Sequence, residues 1–271
     1  SPNSVVIYDT VDLHWLRFER ASRVSNSKEF KERAKYYKSV ELFNSSCSDV
    51  IFTVTHEEKE LLLGENPELK IEVVPNIHEV IEEVTPYNLR KDIMFIGGFL
   101  HQPNEDAVFY FVEEILPIIK EEIPEVKFYV VGSDPTAKLL RLNSETVKVT
   151  GYVRDIMQYF KNCKVFVSPL RYGAGMKGKI GQSMGYGLPV VTTTIGAEGI
   201  GLIHEENALI ADEPKEFARE TIRLYQDKIL WEKLSRNSIN HIKNNYSKEV
   251  LKERIRILLD KYKLQTVQLF R

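Results

Sequence analysis

Short runs of β-branched and aromatic residues alternate along this chain with segments of helical periodicity, and no other feature restricts its fold as much. Parallel strands need a crossover connection, usually a helix, so the pattern predicts an α/β fold with a mainly parallel sheet. The predicted strands are residues 5–8, 50–54, 71–74, 93–96, 126–131, 147–149, 165–167, 189–193 and 208–210. The predicted helices are residues 27–44 and 56–63, one capped by Asn104, one ending near Tyr186, and three at the C-terminal end.

The segment from Glu79 to Arg90 has little apolar pattern and contains Pro86 and Asn88, so it is predicted to be a linker. At the other end, residues 247–271 form an amphipathic, basic segment. Two interpretations remain open for it: packing on the fold, or a peripheral contact with a membrane surface.

The composition is that of an ordinary globular protein, with 43% hydrophobic and 28% charged residues. A net charge of -2 gives no reason to expect nucleic acid as a partner. Cys47 and Cys163 lack metal-ligand spacing, which favours a reducing, cytoplasmic compartment. No apolar run approaches the roughly 20 residues that span a bilayer. The chain opens at Ser1 without a methionine, so we expect the rest of a longer protein upstream.

Glycines follow several predicted strands, at the edge of the sheet where α/β folds bind ligands. Tight strand-to-helix turns also use glycine without any ligand. The glycines alone therefore do not decide between a ligand-binding edge and ordinary turns. The glycines in question are Gly98, Gly132, Gly151, Gly173 and Gly196.

The most informative segment is the loop from Arg171 to Lys179, which follows a buried strand and opens a helix. Glycine lets the backbone approach a ligand closely, and a helix start supplies free N–H groups that favour phosphate. Together with the cations, this pattern predicts a diphosphate ligand. The glycines are Gly173, Gly175 and Gly178, and the cations are Arg171, Lys177 and Lys179.

Two other interpretations of this loop stay open. The spacing of its glycines matches the dinucleotide fingerprint, which would indicate an NAD(P)-binding oxidoreductase. That fingerprint requires an acidic residue at the end of the next strand, but the strand ends in Thr192, Thr193 and Thr194, and Glu198 lies beyond a further glycine turn. The simpler alternative is a glycine-rich turn with solvated lysines.

Several motifs in a fixed order resemble retaining glycosyltransferase family 4, the glycosyl transferases group 1. The resemblance covers roughly residues 93–225, and a weaker likeness to the end of the family's first domain lies in His56-Glu57-Glu58 and Pro75-Asn76. The motifs are Phe95-Ile96-Gly97-Gly98, Pro103-Asn104, Gly151-Tyr152-Val153, Asp155, Pro169-Leu170, Gly175-Met176-Lys177-Gly178-Lys179-Ile180, Met184, Tyr186-Gly187-Leu188-Pro189-Val190-Val191-Thr192-Thr193, Gly196-Ala197-Glu198-Gly199 and Asn207-Ala208-Leu209-Ile210.

The resemblance implies a GT-B fold, with two Rossmann-like domains of which the N-terminal one is incomplete here. Residues 1–78 would be the last part of the acceptor-side domain, 79–246 the donor-binding domain, and 247–271 a helix that crosses back to the first. The implied reaction moves a sugar from a nucleotide diphosphate sugar to a glycan or lipid-linked acceptor, with retention. The implied reaction needs no metal or other cofactor. It takes place in the cytoplasm, either free in solution or at the inner face of the membrane.

The family also implies the roles of individual residues. Lys179 and Arg171, with backbone amides near Gly98 and Gly175, would stabilise the departing diphosphate. The turn at Tyr152 would hold the base. His14 would act near the donor sugar, with a capping or solvated role at the end of the first strand as the alternative. The full set of expected donor-binding residues is Gly98, Tyr152, Val153, Arg154, Gly173, Ala174, Gly175, Met176, Lys177, Gln182 and Glu198.

The chain departs from the family at two positions. The family carries two glutamates across this loop and helix, where this chain has Ala174 and Gln182. Gln182 can still hydrogen-bond to ribose hydroxyls, whereas Ala174 cannot contact the sugar through a polar group. A second hypothesis is therefore a nucleotide-sugar-binding module without activity. Asp9, Asp12 and His101 are further candidates, each with a capping or solvated role as the alternative.

Overall fold

The computed structural model describes residues 4–262. These residues form two compact units, each assembled from segments distant in sequence. The first contains residues 4–78, 174–176 and 244–262, and the second contains residues 79–173 and 177–243. The donor-binding, acceptor-side and crossover roles that we attached to residues 79–246, 1–78 and 247–271 stay predictions.

The first unit is built on a three-stranded parallel sheet in the order β1-β2-β3. Its small core includes Leu13, Trp15, Ile51 and Leu62. Ser27 and Thr55 cap their helices by accepting backbone N–H groups. The elements are β1 (Ile7–Asp9), α1 (His14–Ser25), α2 (Lys28–Ser46), β2 (Val50–Thr53), α3 (His56–Glu65) and β3 (Ile71–Val73), with the C-terminal α12 (Lys248–Lys261).

The C-terminal helix α12 packs within the first unit. Arg254 donates to the carbonyl of Val73 at 3.3 Å, and the hydroxyl of Tyr262 lies 2.8 Å from Glu72. Leu258 is buried on the inner side of the helix. Of the two interpretations of the basic C-terminal segment, these contacts support packing on the fold for residues 248–262; the rest of the segment lies outside the described residues.

The second unit is a six-stranded parallel sheet in the order β6-β5-β4-β7-β8-β9. Its strands are β4 (Ile93–Ile96), β5 (Phe128–Val131), β6 (Val147–Gly151), β7 (Val165–Ser168), β8 (Val190–Thr192) and β9 (Leu209–Ile210). Its helices are α4 (Gln102–Tyr110), α5 (Leu116–Glu122), α6 (Ala137–Leu140), α7 (Met157–Asn162), α8 (Gly178–Gly185), α9 (Thr194–Ala197), α10 (Pro214–Gln226) and α11 (Lys228–Asn245). A 3-10 turn (Tyr87–Leu89) precedes the sheet, and a π-helical segment (Phe111–Ile115) joins α4 to α5.

Strand order fixes where a ligand can enter this sheet. From β4 the chain runs outward to β5 and β6, then returns to place β7 on the other side of β4 and continues to β8 and β9. The order therefore reverses between β4 and β7, and the loops that follow these two strands diverge there. Open parallel sheets bind ligands in the crevice at such a point.

The predicted α/β fold with a parallel sheet is confirmed, since all pairings between the strands in residues 4–262 are parallel. Helix α1 was not predicted, because Arg17 and Arg20 interrupt its apolar pattern. The short helices α6, α7 and α9 were also missed. The predicted cap at Asn104 is wrong: His101 occupies the N-cap position, and Asn104 lies inside α4.

Candidate functional site

The turn after β4 is closed by tight backbone packing around Gly97 and Gly98. A Cβ on Gly132, which has a φ of 150°, would lie 1.8 Å from the carbonyl oxygen of Gly97. Only glycine permits this approach and this backbone conformation. The amide of Phe99 donates to the carbonyl of Ser133 at 3.0 Å, which ties the turn after β4 to the turn after β5.

Asn104 connects this turn to the loop that follows β7. The residue is buried, with 4% of its surface exposed. Its Nδ2 donates to the carbonyl of Gly98 at 2.7 Å, and its Oδ1 accepts a hydrogen bond from Nζ of Lys179. One carboxamide thus bridges the two loops at the point where the strand order reverses.

The loop after β7 has the backbone that its glycines predict. Gly173 has a φ of 153° and Gly175 a φ of 65°, both in the region that favours glycine. Helix α8 begins at Gly178, and the amides of Ile180 and Gly181 in its first turn donate to the carbonyl of Lys177. The positive end of a helix next to lysines makes a suitable site for phosphate.

Lys179 is the cation at the centre of this arrangement. Its Nζ lies 4.7 Å from the centre of the Phe95 ring, a distance at which the ring face attracts a cation. Burial, and secondly the charge of Lys177, lower the pKa of Lys179 to about 7. An anion placed here would favour the charged ammonium and offset the effects of burial and of the Lys177 charge.

Lys177 is more buried than a lysine usually is, with 6% of its surface exposed. Its Nζ lies 3.7 Å from a carboxylate oxygen of Glu198, which directly follows α9. The structure therefore brings together two residues that were predicted separately. The pair places one positive and one negative group beside the start of α8.

Arg171 is placed differently from the two lysines. Its guanidinium forms a two-pronged hydrogen bond to the carboxylate of Asp106, and it lies 4.9 Å from the centre of the Tyr110 ring. The Asp106 carboxylate raises the pKa of Arg171 and offsets its charge. Of the three cations predicted for this loop, Arg171 is thus paired with a carboxylate, and its direct role stays a prediction.

The expected base-binding turn follows β6, the strand at one edge of the sheet. Gly151 has a φ of 68°, and Tyr152 is 78% exposed. Val153 is half-buried and Arg154 is exposed. Since β5 separates β6 from β4, this turn lies about 10 Å from the β4 turn. That spacing suits a nucleoside whose diphosphate lies near Lys179.

The remaining predicted donor contacts differ in their surroundings. Gln182 is half-buried on α8, and Met176 is buried. Ala174 packs against the apolar core of the first unit, so its side chain contributes packing and no polar contact. His101 is exposed at the start of α4.

In the first unit, the residues after β1 form a strained turn. The amide of Asp12 donates to the carbonyl of Thr10 at 2.6 Å, and Val11 between them has a φ of 60°, which is rare for a β-branched residue. A Cβ on Gly175 would lie 2.8 Å from the Cβ of Asp12, so glycine is required at that point of the loop. Backbone strain of this kind often accompanies functional sites.

His14 begins α1 and is held on several sides. Its Nδ1 lies 3.2 Å from carboxylate oxygens of both Asp12 and Glu41, and its ring stacks on Tyr37 with centres 5.3 Å apart. Hydrogen bonding to Glu41 is the main cause of a raised pKa for His14. Asp9 accepts a hydrogen bond from the amide of Val11 at 3.1 Å, the capping role that we gave as its alternative.

Sequence reasoning missed three residues that are partners of predicted side chains, each within its own unit: Asn104 of Lys179, Asp106 of Arg171 and Glu41 of His14. An asparagine near a helix start is normally interpreted as a cap, and acidic residues on helices are normally solvated. Only Asn104 carried a signal, since it belongs to the Pro103-Asn104 motif quoted above. Nothing in the local sequence distinguishes Asp106 or Glu41 from surface acids.

A family model described as "Glycosyl transferases group 1" matches residues 90–227. A curated protein from Escherichia coli, the UDP-Gal:alpha-D-GlcNAc-diphosphoundecaprenol alpha-1,3-galactosyltransferase, is 24% identical over 261 residues, which cover 87% of this chain and 64% of that protein. An uncharacterized 44.6 kDa protein in the cps region of Klebsiella pneumoniae is 26% identical over 170 residues, with 59% and 44% covered. The chain thus spans about half to two thirds of these relatives.

Solved structures of low sequence identity share the fold. A mutant of S. aureus TarM, in complex with fondaparinux, alpha-GlcNAc-glycerol and UDP, matches with a TM-score of 0.71 at 16% identity, covering 83% of this chain and 46% of that one. Sucrose-phosphate synthase from Thermosynechococcus elongatus matches with a TM-score of 0.71 at 17% identity, covering 94% and 67%. These likenesses confirm the predicted GT-B type of fold.

Within residues 4–262, no helix combines the length and apolar character that a membrane crossing requires.

Proposed function

The chain belongs to the glycosyl transferases group 1, and on that premise we propose that it carries the donor site of an enzyme that transfers a sugar from a nucleotide diphosphate sugar. The observation that carries this proposal is the position of Lys179. Its ammonium lies beside the start of α8, hydrogen-bonded to Asn104, at the point where the strand order reverses. A diphosphate at this position would meet a cation and the positive end of a helix together.

The proposed reaction uses these groups to stabilise charge as the bond to the sugar breaks. Negative charge would grow on the diphosphate, and the amides near Gly98 and Gly175, with Lys179, would receive it. We propose that these groups suffice without a metal ion. We further propose that the transferred sugar is a hexose and that its configuration is retained, in line with the resemblance to the retaining family.

The other predicted contacts are assigned along the length of the donor. Tyr152, Val153 and Arg154 would hold the base, and Gln182 the ribose. Glu198, paired with Lys177, would contact sugar hydroxyls, and His14 would act near the sugar. Neighbouring structures contain UDP, and the Escherichia coli relative is named for a UDP-sugar donor and a lipid diphosphate acceptor. We therefore favour a uridine diphosphate donor and a glycan or lipid-linked acceptor.

A second candidate function is binding of a nucleotide sugar without transfer. It is favoured by Ala174, whose methyl group packs in the core of the first unit where the family has a glutamate. The dinucleotide interpretation has less support. The first acidic residue after its fingerprint in the sequence, Glu198, lies beside Lys177, and the matching loop follows β7 rather than opening the sheet.

The first test is a calorimetric titration of the protein with UDP, GDP, ADP and NAD. We expect binding of a nucleoside diphosphate, UDP above the others. Replacing Lys179 with alanine should weaken this binding by about 1–3 kcal/mol, because a charge-assisted hydrogen bond is lost. Lys138→Ala, on the exposed surface of α6 in the same unit, is the control and should leave the affinity unchanged.

Tight NAD binding without nucleoside diphosphate binding would contradict the proposal. So would equal affinities of the Lys179→Ala variant and the wild type. To separate the transferase from the binding module, donor hydrolysis and transfer are measured with the full-length protein. Donor binding without either reaction would support the second candidate.

A further inference from the structure

We infer that Asn104 is a positioning residue of the donor site, which holds the Lys179 ammonium and the Gly98 turn in place through its two amide ends. The inference rests on the proposed function and adds a residue to it. Asn104 would contact neither the diphosphate nor the sugar; it would act through Lys179.

The chemistry of the two partners fixes the orientation of the amide. The Gly98 carbonyl can only accept, so it must face the Nδ2 group at 2.7 Å. The Lys179 ammonium can only donate, so it must face Oδ1. Both ends of the amide are used, and neither assignment can be reversed without losing both hydrogen bonds.

The backbone around Asn104 is shaped to admit this side chain. A Cβ on Gly97 would lie 2.6 Å from Nδ2 and 2.8 Å from Cγ of Asn104. The absence of a side chain at Gly97 is therefore what leaves room for the carboxamide. The asparagine is buried rather than capping the helix, which its position near the start of α4 would otherwise predict.

A neutral amide at this point leaves the lysine charge available. The neighbouring cation Arg171 is paired with the carboxylate of Asp106. Lys179 is instead held by an uncharged oxygen, so it is oriented without being neutralised. Oriented and uncompensated charge is what stabilisation of a departing diphosphate requires.

The test measures the UDP affinity of two Asn104 variants, for which a positioning role and a purely structural role predict different results. Asn104→Ala removes both hydrogen bonds and should weaken UDP binding about fivefold to tenfold. Asn104→Asp has almost the same shape but pairs with Lys179 and repels the diphosphate. It should weaken UDP binding further than alanine does. If Asn104 only supported the fold, both variants would unfold at lower urea concentration but, where folded, would bind UDP as tightly as the wild type does.

A second measurement needs no ligand. The titration of Lys179, followed by NMR of labelled lysine side chains, should lie near the pKa of about 7 that burial and Lys177 impose. Asn104→Asp should raise this pKa by one unit or more, since a carboxylate favours the charged ammonium. Phe95 and Lys177 also face the ammonium and are unchanged in both variants.

Asn207→Ala is the matched control. Asn207 is equally buried, and its amide also bridges two backbone groups, the amide of Ile203 at 2.8 Å and the carbonyl of Gly201 at 3.2 Å. This variant should unfold more easily but keep the wild-type UDP affinity and Lys179 titration. An unchanged Lys179 titration in both Asn104 variants would overturn the inference. Failure of the wild type to bind UDP, with the Lys179 shift present, would count against the proposed donor and leave the positioning role supported.

Discussion

At the scale of single residues, Lys179 lies in surroundings that disfavour its charge. Its ammonium is removed from water and lies near a second lysine, and the hydrogen-bond partner that residues 4–262 provide for it is the neutral oxygen of Asn104. These conditions lower its pKa to about 7, so at neutral pH the side chain is near the midpoint of its titration. A bound diphosphate would supply the missing negative charge and raise the pKa again.

We therefore expect proton uptake when a nucleotide sugar binds. Below pH 6 Lys179 is already protonated and the affinity for UDP-glucose should be constant. Above pH 7 binding must also protonate the lysine, so the affinity should fall, by up to about tenfold per pH unit. UDP-glucose is the probe because it lacks a phosphate monoester, which would titrate near pH 6. Calorimetry in buffers of different ionisation enthalpy measures how many protons the protein takes up on binding.

The Lys179→Ala variant serves as the reference for this pH dependence. It should bind UDP-glucose more weakly but with little change between pH 6 and pH 8.5. If its affinity fell with pH as steeply as that of the wild type, the titrating group would be another residue.

At the scale of elements, glycines in helices show how tertiary contacts override helix propensity. Gly185 lies at the end of α8, where a Cβ would come within 2.0 Å of the carbonyl oxygen of Glu79. Gly64 lies in α3, and a Cβ there would meet nothing within 4 Å. Propensity favours alanine over glycine in both helices, yet only one position has room for it.

Two alanine substitutions should accordingly have opposite effects. Gly64→Ala should stabilise the protein by about 0.5 kcal/mol, because alanine loses less backbone freedom on folding. Gly185→Ala should destabilise it by about 1–3 kcal/mol, because the linker backbone must move away from the new methyl group. Urea denaturation of both variants measures the difference in free energy of unfolding. Equal stabilisation by both would show that the Gly185 contact is absent in solution.

At the scale of the whole molecule, a buried histidine makes the stability of the first unit depend on pH. His78 is 9% exposed and packs edge-on against Tyr246, and its Nε2 has no hydrogen-bond partner among residues 4–262. Burial lowers the pKa of His78 to about 4. The unfolded chain, in which histidine titrates near 6.5, therefore binds this proton more readily than the folded protein does.

The contribution of neutral His78 is fully present above pH 6.5 and is lost as the pH falls towards 4. The loss should reach as much as about 3 kcal/mol over that interval. His78→Leu should remove this part of the pH dependence, whereas His56→Ala, at an exposed histidine of the same unit, should not. Urea unfolding at pH 7 and pH 5 makes the comparison. An identical loss of stability in wild type and His78→Leu would rule out His78 as its source.

The sequence by itself determined the alternation of strands and helices, the glycine conformations at Gly173 and Gly175, and the cations in the loop from Arg171 to Lys179. These features depend on side-chain periodicity, backbone freedom and residues close together in the chain. The tertiary structure alone decided which cation is paired with a carboxylate and which is held by a neutral oxygen. Arg171 meets Asp106 from 65 residues away, and Lys179 meets Asn104 from 75 residues away. Such pairings follow from the order of strands in the sheet, which local pattern does not encode, and they determine the electrostatics of the site.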